Sequence, residues 1–83
     1  MYQIEGKEVL FDWLEKQPDP TKREVMIEFM AKVAEKPTEV GVKVPDARKP
    51  IYVAFTPVNN WIVRYLVVDQ FHVVKLGSFV QLE

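Results

Sequence analysis

The sequence predicts an α+β fold, in which a helix hairpin over about residues 7–36 packs on one face of a three- to four-stranded antiparallel meander sheet over about residues 39–80. Three β-branched and aromatic runs, Ile51 to Phe55, Trp61 to Val68 and Phe71 to Leu76, follow one another across short turn segments, the signature of a meander. Charge is segregated to match. From Pro50 onwards only Arg64, Asp69, Lys75 and Glu83 are charged, while the first 49 residues carry nine of the eleven basic and ten of the twelve acidic side chains. Helical material therefore precedes the sheet, and 83 residues suffice for one small domain, 1–83.

Residues 7 to 16, KEVLFDWLEK, place Val9, Leu10, Trp13 and Leu14 on one side of a helix and Glu8, Asp12 and Glu15 on the other. Pro18 and Pro20 end it, because proline supplies no backbone donor to a continuing helix. A second helix opens at Thr21, where Thr21-Lys22-Arg23-Glu24 fits a capping box, and runs to about Lys36 before Pro37. Its stripe is Val25, Met26, Phe29, Met30 and Val33, with Glu28 and Lys32 spaced as an i,i+4 ion pair. Residues 38 to 49 read as at most a short edge strand (Val40, Val42, Val44) and a polar loop, since Gly41, Pro45 and Pro50 interrupt them. In the meander, a two-residue turn at Asp69-Gln70 pairs Val68 with Phe71, Leu66 with Val73 and Arg64 with Lys75. That register gives Trp61, Val63, Tyr65, Val67, His72, Val74 and Leu76 to the core face.

Several function classes are excluded by composition. There is no cysteine, hence no disulfide, thiolate metal site or cysteine nucleophile, and a cytoplasmic location is the expectation. No apolar run approaches the roughly 18 residues of a membrane span, and no membrane partner is expected. The three glycines stand apart, so no phosphate-cradling loop and no cofactor is implied. The carboxylates at Glu8, Asp12 and Glu15, and at Glu24 and Glu28, have no neighbouring histidine and imply no metal. With a formal charge of -1 there is no global attraction to nucleic acid.

What remains is local. Arg64 and Lys75, on one sheet face, make a candidate phosphate clamp, the plainer alternative being two solvent-facing cations. His72 is a candidate acid or base near neutrality, the alternative being a hydrogen-bonded strand residue. Ile62, Leu66, Val68, Phe71 and Val73 share the face of Arg64 and Lys75, which one helix hairpin cannot cover as well as the other. An apolar face of this size predicts a homodimer or a partner segment laid along the sheet.

A helix hairpin, the junction AKVAEKP, then WIVRYLVVD followed by FHVVKLGSF, with an Arg and a Tyr in the central strand, resembles the RelE/ParE superfamily of bacterial toxin-antitoxin modules. The resemblance implies an antitoxin partner and one of two targets, the ribosome with its mRNA or DNA gyrase. For RNA cleavage it implies Lys and Arg residues with a Tyr or His on the open sheet face: Arg64 sits near a family position and Lys75 and His72 are the substitutes for the others, the alternative being a non-catalytic interaction or self-associating domain that retains the fold. The basic tail that follows the last strand in that superfamily has no counterpart in GSFVQLE.

Overall fold

The computed structural model describes all 83 residues, Met1–Glu83. In chain order the elements are β1 (Gln3–Glu5), α1 (Lys7–Lys16), α2 (Pro20–Glu35), α3 (Pro37–Val40), β2 (Val42–Lys43), β3 (Ile51–Phe55), β4 (Trp61–Val68) and β5 (Val73–Gln81), with a 3-10 turn at Asp69–Phe71. The fold is α+β, as expected. The sheet has five strands in the order β1-β5-β4-β3-β2, antiparallel throughout except for β1, which lies parallel to β5. β1 was not anticipated: its three residues are too few to show a period.

Helix α1 has the predicted bounds and buries Trp13. Helix α2 begins one residue before the predicted capping box. Asp19 caps it, accepting the Thr21 amide at 2.9 Å, because Pro20 occupies the first helical position, where its missing N–H costs nothing. The Glu28–Lys32 pair does not form; the two ion pairs are Lys16–Asp12 and Lys36–Glu39, both exposed. Met26, Met30 and Val33 are buried and Phe29 is half-buried. Pro37 stops α2 and opens the short α3, which takes in Val40, so that of the expected edge strand only Val42–Lys43 forms, at the edge of the sheet.

The core cluster joins Trp13, Met26, Met30 and Val33 of the helices to Ala54, Val63, Tyr65, Val67, Val74 and Leu76 of the sheet. Val58 completes it from the β3–β4 loop, where the Thr56 hydroxyl donates to the Trp61 carbonyl at 2.9 Å, accepts the Val58 amide at 3.3 Å and holds the loop folded inward. Tyr65 lies beneath the helices, and its hydroxyl donates to the Pro37 carbonyl at 2.6 Å. Burial, aided by Tyr52 stacked 6.0 Å away, pushes its phenol up to about 12. Gly41 allows this approach, since a Cβ there would overlap the Tyr65 hydroxyl.

The predicted β4–β5 register is wrong. The connection is Asp69 to His72 rather than two residues, so Val68 faces Val73, Leu66 faces Lys75 and Arg64 faces Ser78. His72, with φ 52, takes the left-handed conformation that closes the turn and donates its amide to the Asp69 carbonyl at 3.1 Å. It is therefore exposed at the turn and not on the core face, and Phe71 is in the turn and not in a strand. Slipping by two residues leaves every strand side chain on its predicted face, which is why the core set is otherwise correct. A bulge at Gly77, between the pairs Tyr65–Leu76 and Arg64–Ser78, then shifts β5 by one, so that Leu76 and Phe79 both face the helices.

Candidate functional site

The sheet face opposite the helices is built from four rows of cross-strand neighbours. They are Phe55–Ile62–Val80; Val42–Val53–Arg64–Ser78; Ile51–Leu66–Lys75–Glu5; and Val68–Val73–Gln3. The molecule measures 36 × 27 × 20 Å, and its shortest dimension holds one sheet and one helix layer at about 10 Å each, with no third layer over this face. Phe55 and Val42 are 74% and 71% exposed. Ile51, Val53, Ile62, Leu66 and Val68 are half-buried by one another, and only Val73 is buried.

Two cations stand in the middle of this apolar surface. Arg64 and Lys75 are both exposed and lie diagonally, one row apart, instead of directly opposite as the sequence register had them. The longer turn thereby removes a like-charge confrontation that a sheet disfavours. Lys49, just before β3, joins them around a shallow concavity of about 240 Å³ floored by Ile51 and Leu66. None of the three ammonium or guanidinium groups has a carboxylate within ion-pair distance, although Glu5 is the register neighbour of Lys75. Lys49 escaped the sequence reading because it belongs to a loop; its only signal was its position two residues before a strand of the same face.

The chain's one imidazole does not join them. His72 packs against Tyr2 at the end of the sheet, the ring centroids 5.0 Å apart and the planes tilted by 36°. Tyr2 donates its hydroxyl to the Asp69 carboxylate, an arrangement that raises the Tyr2 phenol above its ordinary value. Its backbone amide bonds the Ala34 carbonyl at 2.7 Å, and the Gln3 amide bonds the His72 carbonyl at 2.8 Å. His72 is thus a turn residue that anchors β1. Of the five predicted partner-facing residues, Ile62, Leu66, Val68 and Val73 share the open face, whereas Phe71, 69% exposed, projects from the turn. No group of three His, Asp or Glu side chains is arranged to hold a metal. Chemically, the site can bind an anion within an apolar surround.

No protein-family model matches the chain, and no curated protein matches it. Three solved structures do. The isolated RelE toxin of E. coli superposes with a TM-score of 0.75 at 24% identity, over 100% of this chain and 86% of that one. A chain of the intact E. coli RelBE toxin-antitoxin complex gives 0.75 at 23% identity, covering 100% and 99%. A double-arginine mutant of E. coli RelE, in complex with an antitoxin RelB peptide, gives 0.69 at 24% identity, covering 99% and 84%. The chain has the RelE-like toxin fold that its strand and helix patterns resemble.

Proposed function

We propose that this protein is the toxin-fold component of a toxin-antitoxin pair, and that it works by binding an antitoxin-like segment along its open sheet face. The observation that carries the reading is the uncovered apolar face with Lys49, Arg64 and Lys75 unpaired at its centre, in a fold whose solved neighbours include antitoxin-bound forms. The chemistry of the face selects an amphipathic segment. Its apolar side covers Ile62, Leu66 and Val68, and its acidic side chains meet the three cations. RNA phosphate is the second ligand of matching charge, and the same cations would stabilise a phosphorane. Binding is favoured over cleavage because His72 is at the β1 anchor and Tyr65 is buried on the far face, which leaves neither aromatic acid-base side chain beside Arg64.

Induced expression, with growth, mRNA integrity and plasmid supercoiling followed together, tests the assignment. The expected outcome is growth inhibition relieved by the neighbouring open reading frame and by Arg64→Ala/Lys75→Ala. Cleaved mRNA would specify the ribosome, and lost supercoiling would specify gyrase. Harmless wild-type protein that binds no product of the neighbouring frame would overturn it.

A further inference from the structure

A second concave surface, which meets the first at Gly77, lies between α1 and the ends of β4 and β5. Its volume is about 490 Å³. Trp13, Trp61 and Phe79 form its floor, with Trp61 edge-on to Trp13 at 5.7 Å and Phe79 tilted at 5.8 Å. One wall is the α1 stripe Glu8, Asp12 and Lys16, at i, i+4 and i+8, which extends about 12 Å along the helix. The Lys16 ammonium is taken up by Asp12 at 3.1 Å, so Glu8 is the charge left unpaired on this wall. An aromatic floor beside a free carboxylate holds a guanidinium or ammonium by two attractions at once, the ring quadrupole and the ion pair.

We propose that this groove docks a basic amphipathic peptide segment of a protein partner, one Lys or Arg directed at Glu8 and the half-buried Trp61, and an adjacent apolar side chain laid on Phe79. The charge of the wall selects a basic segment. Its two-turn length and its volume exceed what a single small cation fills, which selects a peptide. The docking does not depend on the open face, whose three cations would repel the same segment.

Both tryptophans of the chain line the groove, so intrinsic fluorescence reads its occupancy directly. A short capped helical peptide of leucine and lysine is titrated against its leucine-glutamate counterpart, at low and high salt. The lysine peptide is expected to shift the emission, and Glu8→Lys, at an exposed first-turn position where the charge reversal lowers the melting temperature only slightly and leaves the protein folded, to weaken it by about tenfold. Leu66→Lys, on the open face, is expected to leave that affinity unaltered. An equal response to the glutamate peptide, an undiminished response in Glu8→Lys, or competition by lysine amide as strong as that by the peptide would each overturn the proposal.

Discussion

Tyr65 and Gly41 are a matched pair. The phenol occupies the space a side chain at 41 would need, and it satisfies a buried carbonyl of α3. Gly41→Ala is expected to cost about 1 to 3 kcal/mol in chemical denaturation. Tyr65→Phe, which loses one buried hydrogen bond, is expected to cost about 1 kcal/mol and to absorb part of the Gly41→Ala penalty in the double mutant. Strictly additive losses would show that the two positions do not compete for space. The raised phenol also has a sign in pH. In the unfolded chain it titrates near 10 and in the folded protein near 12, so the folded state holds more protons between those values. Its stabilising contribution is complete below pH 10 and is lost as pH rises towards 12. Tyr65→Phe should flatten that loss, as followed by denaturant midpoints across the alkaline range.

At the scale of elements, helices were legible and turns were not. α1 could be bounded from Pro18 and the Trp13 stripe alone, and α2 missed by one residue because Asp19-Pro20 outcompetes Thr21 as a start. Met26→Ala is expected to cost about 2 to 5 kcal/mol, and Ile27→Ala, one position round and 53% exposed, under about 1 kcal/mol. Comparable losses would mean that α2 is rotated from the orientation described. The register of β5 was illegible because it depends on His72 adopting a left-handed backbone, a choice no hydrophobic period encodes. For the same reason the candidate site was half legible. The sparse charges of the C-terminal half marked out Arg64 and Lys75, whereas Lys49 and the removal of His72 required the turn geometry. The Gly77 bulge invites a sharp test. Because Gly77 is the extra residue, its deletion should leave Ser78 outward and Phe79 in the core and be tolerated, whereas deletion of Gly77 and Ser78 together should turn Phe79 out and lower the melting temperature; equal losses from the two deletions would refute the phase shift.

For the whole molecule, the two-layer build leaves one sheet face uncovered. Phosphate, compared with chloride at matched ionic strength, is expected to raise the melting temperature of wild type and not of Arg64→Ala/Lys75→Ala, most clearly at low salt. At high micromolar concentration the apolar rows should also drive self-association visible by light scattering, with Leu66→Lys returning the protein to monomer. Indifference to phosphate would reduce the three cations to solvated surface, and a monomeric wild type would mean that the rows shield one another well enough in water.

The tie between Tyr2 and Asp69 spans 67 positions. β1 leaves the ribosome before any other element, yet its only partner in the sheet is β5, the latest strand to be made. The meander can zip up through neighbouring hairpins, but β1 must wait as an unpaired tether, and closing so long a loop contributes to folding only after the rest has condensed. β1, translated ahead of its sheet partner, is accordingly the last strand to dock, and the sheet edge beside β5 stays open to competing strands throughout that interval.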